Sequence, residues 1–294
     1  MLIRIWLLMV CFYTGATVAG ELINKSIDST KLEFLLIDIP RGAVDIQGWD
    51  QQHVLIKGEL GDAASRLMIK DHGRKLQIKV AMQARSHAGQ GSQLHIFIPH
   101  KTVLWFNGIE TSFSFKQLTA RIEGRTISGD LTLDDVAANF ELSTVSGSIN
   151  IKNSSGNARL ESINGDIFID GEYDNIAIKS MSGNINVVIN KIVKLKTKNI
   201  SGQTTISGDL SDDAVIKLSS VNGALHYQVI GELDAQCQLS SQFGGKIENT
   251  LTNDLPQTKH LQQQVLKFVA GDGSATLTMK SVSGSMKIGR KKLN

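Results

Sequence analysis

One short phrase recurs through the middle of this chain. It reads Ile127-Ser128-Gly129, Val145-Ser146-Gly147, Ile163-Asn164-Gly165, Met181-Ser182-Gly183, Ile200-Ser201-Gly202 and Val221-Asn222-Gly223, and returns as Val282-Ser283-Gly284. From Gly129 to Gly223 the glycines step by 18, 18, 18, 19 and 21 residues. A fixed period near 20 residues marks a solenoid, in which each unit buries its apolar side only by stacking on the next.

The apolar side chains keep the same ruler. Two and four residues after each glycine stand Leu131 and Leu133, Ile149 and Ile151, Ile167 and Ile169, Ile185 and Val187, and Leu225 and Tyr227. Seven and five residues before it stand Phe140 and Leu142, Ala158 and Leu160, Ile176 and Ile178, and Ile216 and Leu218. Both sets alternate with polar residues, so each unit reads as two half-buried strands. A helix is excluded, because the apolar spacing is two and a glycine recurs inside every unit. The expected fold is all-β, a single-stranded parallel β-helix with 18–21 residues per coil. Gly129, Gly147, Gly165, Gly183, Gly202, Gly223 and Gly284 are its expected turn residues, through the positive φ that glycine permits. Around Gln242-Phe243-Gly244-Gly245 one residue is inserted relative to the ruler, which predicts a β-bulge.

Residues 127–294 form the regular part, with a short helix expected near 252–270. There Asn253 or Asp254 could cap, and Leu261, Val265, Leu266 and Phe268 fall at helical spacing. Residues 20–126 read as less regular opening coils and a cap: strands over 32–39 and 43–48 around Pro40-Arg41-Gly42, and the ruler extending back to Gly108. The strand pair after Gly271-Asp272-Gly273 reads as the last coil, and its charged tail Arg290-Lys291-Lys292 as a guard on the final edge.

Residues 1–19 read as a secretory signal: Arg4, a short apolar core over 5–13, and small residues at Thr17-Val18-Ala19. The expectation is therefore export, to the periplasm first, with the cell surface or secretion as alternatives. A retained anchor is disfavoured by the shortness of the apolar run, and a lipid-modified Cys11 by Val10 before it. With the signal removed, Cys237 is the single cysteine, so no internal disulfide forms. A net charge of +3 gives no electrostatic case for nucleic acid.

Outward positions after the glycine corner form a polar row. Asn150, Asn184, Asn186 and Thr205 are its candidate ligand face, suited to a repetitive glycan or to another envelope protein. The competing reading is a solvated sheet face. Asp130, Asp134, Asp135, Asp166, Asp170 and Glu172 recur, but the glycine-rich calcium repeat is absent, so turn and surface roles are expected. Lys191, Lys194, Lys196 and Lys198 could meet an anionic surface or serve as a solubilising strand. Cys237 falls on an inward position and reads as a buried thiol. His226, on the outward row, is the histidine to watch. No nucleophile elbow, phosphate loop, metal-spaced His pair or Cys-x-x-Cys appears, so no cofactor and no catalytic residue is assigned.

The run Gly42-Ala43-Val44-Asp45-Ile46-Gln47-Gly48-Trp49-Asp50 resembles one known family when taken with three later features. These are Leu94-His95-Ile96-Phe97-Ile98-Pro99, the serial Ser-Gly turns and the closing Gly271-Asp272-Gly273-Ser274-Ala275. The family is that of the bacterial envelope β-solenoids called putative adhesins, a domain of unknown function. The resemblance spans roughly residues 40–290 and implies a right-handed, exported parallel β-helix without established catalytic residues. The expected function is a non-enzymatic envelope scaffold or binding surface. The alternatives are a carbohydrate-active enzyme on a β-helix and a self-assembling scaffold. Against the enzyme, Trp49 and Trp105 are the only tryptophans after the signal, and both lie outside the regular repeat.

Overall fold

A computed structural model describes residues 21–83 and 89–291. The signal segment, Cys11 and Lys292 lie outside the described residues. The fold is all-β, and each coil supplies strands to two columns. In the first column, strands end just before the glycine corner; in the second they begin just after it. The pairing is parallel and offset by one repeat. Ile149 sits beside Ile167, which sits beside Ile185, which sits beside Thr204. On the first column Leu160 sits beside Ile178, which sits beside Thr197. The strand Ile167–Ser180 serves both columns, bending between them.

The alternation read in the sequence is the alternation of burial. Ile167, Ile169, Ile176 and Ile178 are all buried, as are their equivalents above and below, and together they form one continuous core. Each such side chain contributes about 1.5–3 kcal/mol by leaving water. With coils about 4.8 Å apart, that gain is realised only when both neighbouring coils are in place.

The glycine corner has a different cause from the one expected. Of the seven turn glycines only Gly202 has a positive φ, at 101°. Left-handed backbone gathers instead near the opposite corner, at Asp135, Asn153, Gly171 and Asp213. The glycines are required because coils touch there. A Cβ on Gly147 would lie 1.8 Å from the Gly129 carbonyl oxygen, and one on Gly165 would lie 1.7 Å from that of Gly147. The ladder begins on the Thr111 carbonyl, which Gly129 covers. Gly108 is aligned one strand earlier, with Thr126, so the ruler does not reach it (Asn107 pairs with Arg125 through the neighbouring strand).

Both ends depart from simple succession. Ala275–Ser281 pairs on one side with residues 215–220 and on the other with Ala235–Ser241. Met286–Arg290 likewise lies between Leu225–Val229 and Ile247–Asn249. The strand pair read as the last coil is thus slotted into the stack one place in from the end. Its tail guards no edge: the Arg290 guanidinium donates to the Gly231 carbonyl at 3.1 Å. At the other end Phe34–Trp49, one continuous strand where two were expected, lies between Val103–Lys116 and the pair Lys75–Met82 and Ser92–Pro99. Antiparallel strands finish each terminus: Leu22–Asp28, His53–Glu59 and Ala64–Asp71 at one, Gln264–Ala270 at the other.

Two local expectations are corrected. Residues 252–270 hold no α-helix. A single 3-10 turn, His260–Gln262, leads into the strand Gln264–Ala270, where Leu266 and Phe268 are buried and Lys267 and Val269 exposed. Val265, Phe268 and Val269 favour a strand, and the open edge of Ala235–Ser241 supplies its partner. The extra residue at Gly244-Gly245 is not a bulge between paired strands. It is taken up in the corner, where Gly244 has φ 71° and Gly245 joins the glycine ladder over the Gly284 carbonyl.

Candidate functional site: a groove along the glycine corner

Three residues before each corner glycine stands a small polar side chain that is buried: Thr126, Thr144, Ser162, Ser180, Asn199, Ser220 and Ser281. The hydroxyls of Thr126, Thr144, Ser162, Ser180 and Ser281 accept the glycine N–H, at 3.0 Å for Thr144, 2.9 Å for Ser162 and 3.1 Å for Ser180, while the Asn199 amide donates to the Gly202 carbonyl at 3.2 Å. This closes a tight turn in which the hydroxyl residue points inward. The next residue must then point out, and in every repeat it is apolar. Ile109, Ile127, Ile163, Met181, Ile200 and Val221 are each 38–49% exposed, with Val145 half-buried among them.

These side chains stack coil on coil into one wall of a groove. The small polar residues form its floor, and Asn107, Arg125, Ser143, Glu161, Lys179, Lys198 and Ser219 form the opposite wall. The groove runs along the stack axis from Ile109 to Val221, roughly 29 Å at one coil per ~4.8 Å, and encloses about 1000 Å³. Val282 and exposed Phe243 continue the apolar line, since Val282 and Phe243 follow Val221 through coil-to-coil backbone bonds. A contiguous exposed apolar stripe of this kind marks an interaction site on soluble proteins.

Its backbone has little to offer a polar ligand. Ser128 N–H bonds the Ile109 carbonyl, Ser146 that of Ile127, Asn164 that of Val145, Ser182 that of Ile163 and Ser201 that of Met181. The hydroxyls alongside are also engaged: Ser182 donates to the Ile163 carbonyl at 3.2 Å and to Asn164 Oδ1 at 2.8 Å. The groove presents hydrocarbon with a polar rim.

The candidate ligand face lies elsewhere, on the second column. Asn150, Asn186 and Thr205 do fall in one row, with half-buried Phe168 between Asn150 and Asn186. Asn184 is exposed one corner earlier, and its Oδ1 accepts the Gln203 N–H at 2.9 Å. Asp130 and Asp166 brace the next coil in the same way, each accepting a backbone N–H at 2.7 Å, and Asp134 accepts from Asn153 at 2.9 Å. Among the described residues no three His, Cys, Asp or Glu side chains are grouped to hold a metal.

Cys237 is a free, buried thiol whose pKa is pushed up to about 12 by burial. Trp105 stacks on Phe34 with ring centroids 5.2 Å apart, and Trp49 donates its indole N–H to the His53 carbonyl at 2.9 Å.

His226 continues the second-column row beside Gln203 and Lys287, with Glu248 beyond. Partial burial lowers its pKa below the ordinary histidine value, nearby Lys287 lowers it further, and Glu248 opposes both. The unfolded chain therefore binds the proton more tightly than the folded one. Stability tied to His226 is full above about pH 6.5 and is lost as pH falls through the depressed folded value. We expect His226→Gln to lose less melting temperature than the parent between pH 7 and pH 5. Equal losses would place the acid sensitivity at other groups.

Stacked coils, a ladder of touching glycines and an open apolar groove along that ladder define an all-β repeat protein with a surface groove. The chain belongs to the Toastrack DUF4097 family, whose sequence profile matches residues 37–288. That agrees with the resemblance carried by its Ser-Gly turns. Among solved structures it is similar to a putative adhesin from Bacteroides fragilis NCTC 9343, at 13% identity and TM-score 0.42, over 91% of this chain and 97% of that one. It is also similar to a putative lipid binding protein from Parabacteroides distasonis ATCC 8503, at 13% identity and TM-score 0.39, over 93% and 98%. A putative cell adhesion protein from Clostridium sporogenes ATCC 15579 aligns at 8% identity and TM-score 0.22, over 92% and 100%. Likenesses this distant transfer no function. No curated protein matches the chain.

Proposed function

We propose that this protein is an exported, non-enzymatic binding protein of the bacterial envelope. Its ligand surface is the groove along the glycine corner, and its occupant is an aliphatic chain lying parallel to the stack. One observation carries this reading: six exposed apolar side chains in register, from Ile109 to Val221, over backbone whose hydrogen bonds are already made. An extended peptide laid there would give up water on its own N–H and C=O groups without replacement, at about 1–3 kcal/mol for each. A hydrocarbon chain has no such groups and gains about 0.8 kcal/mol per buried methylene. Export rests on the amino-terminal signal. The winding proposed is that of a right-handed single-stranded β-helix, the hand that parallel crossovers favour.

The test uses the mature chain and the neutral apolar dye N-phenyl-1-naphthylamine. We expect saturable binding that Ile163→Asp and Met181→Asp abolish, both side chains being exposed and outside the core. Dye binding that survives both substitutions would sink the groove as the ligand surface.

A further inference from the structure

The first-column face beside the groove is divided by charge. In its lower half, residues of both signs are paired: Arg121 lies 2.9 Å from Glu123 and 3.7 Å from Glu141, and Arg159 approaches Glu141 at 3.9 Å. The upper half is unlike this. Four successive coils there place Asn175, Lys194, Val215 and Thr276 in one outward row. Ala177, Lys196, Lys217 and Thr278 form the second row, and Lys179, Lys198, Ser219 and Lys280 the third. Six of these positions are lysine and none is a carboxylate. Lys196 stands directly opposite Lys217, and Lys198 opposite Lys179. Of the six, Lys179 alone has an ion pair among the described contacts, with Glu161.

Like charges on directly opposed positions destabilise a sheet. A solvated outward face can equally be built with mixed signs, as in the lower half. The lysine field also has a definite place: its third row is the wall of the groove, where Lys179 and Lys198 face the line of Met181, Ile200 and Val221. Hydrocarbon and a run of lysines therefore adjoin at one end of the groove, while towards Ile109 the facing wall carries Glu161, Ser143, Arg125 and Asn107, with one charge of each sign.

We propose that the groove takes a single anionic amphiphile, with its alkyl chain along the Ile109-to-Val221 line and its phosphate or carboxylate head on Lys196, Lys198 and Lys217. This deepens the reading given above and rests on it. The groove is long enough to hold one such chain. One leaflet's acyl chain spans about 15 Å, half of a ~30 Å hydrocarbon core. From Ile200 down to Ile109 the groove offers roughly 24 Å at one coil per ~4.8 Å. Lysine suits a head presented in several orientations, because it binds phosphate as a point charge where arginine would impose a fork.

The experiment titrates the mature chain with palmitoyl-lysophosphatidylglycerol and palmitoyl-lysophosphatidylcholine, both below their micellar concentrations, by calorimetry and native mass spectrometry. We expect one bound molecule, and affinity for the zwitterionic lipid about tenfold weaker, the gap narrowing as salt rises. The triple variant Lys196→Gln, Lys198→Gln, Lys217→Gln should lose that preference while still binding the neutral dye. Met181→Asp should lose both lipids. Equal affinity for the two heads, or a preference that survives the triple variant, overturns the proposal while the apolar groove stands. Failure of dye and both lipids together removes the groove reading as well. A third arm offers phosphatidylglycerol vesicles: sedimentation with vesicles, without one-to-one monomer binding, would assign the surface to bilayer docking and overturn the proposal.

Discussion

Gly165→Ala is expected to cost on the order of 3 kcal/mol or more, at the upper end of what overpacking does. The added Cβ would fall 1.7 Å from the Gly147 carbonyl oxygen, a backbone atom that cannot rotate away. Relief requires prising two coils apart at the corner, which weakens the strand pairing on both columns at once. Gly73→Ala separates this cause from conformational strain. Gly73 has φ 74° with no atom within 4 Å of where its Cβ would be, so it bears strain alone, about 1–2 kcal/mol. Ser182→Ala, which removes an exposed hydroxyl, should cost less than either. Urea unfolding of the three variants checks the order. A Gly165→Ala midpoint matching that of Ser182→Ala would mean the corners are not in contact.

Deleting residues 275–294 is expected to release everything from residue 231 onward while residues 21–229 stay folded. Leu277, Met279, Met286 and Ile288 leave with the deleted strands, all of them buried. At about 1.5–3 kcal/mol each, their loss amounts to roughly 6–12 kcal/mol, as much as a whole domain's margin. Ile247–Asn249 has its parallel partner only in Met286–Arg290 among the described strands. A solenoid's stability is local to neighbouring units, so the coil ending at residue 229 loses one neighbour and the coils below it should not feel the cut. Limited proteolysis should leave a resistant fragment ending near residue 229. Protection extending through 231–274 would show that this segment closes the gap and stacks in chain order after all.

The core was legible in the sequence because burial in a sheet follows a period of two and the coils repeat it at nearly constant length. Ile149, Ile167 and Ile185 could be placed side by side from spacing alone, and they are. The order of coils at the carboxyl end was not legible. Gly223 and Gly284 are in phase with the ruler and Gly245 with the strand that follows it, and phase does not say which neighbour a coil adopts. The helix expected near 252–270 failed because Leu266 and Phe268 satisfy a strand as well as a helix, and a vacant sheet edge decided the matter. The groove was visible in part. The phrase that revealed the repeat opens with Ile127, Val145, Ile163, Met181, Ile200 and Val221, residues out of step with the inward positions five and seven before each glycine. An apolar residue kept at an outward place in every unit was the available signal. The polar row around Asn150 and Asn186 reads as a binding face because its side chains can hydrogen-bond a ligand. The clustering of Lys194, Lys196 and Lys198 was evident, but its alignment with Lys217, Lys280 and the groove wall required knowing which strands are neighbours.

The antiparallel strands at both termini have a consequence for how such a chain changes over generations. Among the described strands they cover the parallel edges at the amino end and on the first column at the carboxyl end, leaving the short strand Ile247–Asn249 with a parallel neighbour on one side only, so added material enters most easily in the interior. Duplicating one 18-residue unit between Gly129 and Gly183 would leave both terminal arrangements untouched and lengthen the groove by about 4.8 Å. Groove length is thereby decoupled from the parts that make the fold stable, and a lineage could fit its groove to a longer or shorter occupant by counting repeats, with no redesign of any residue that touches it.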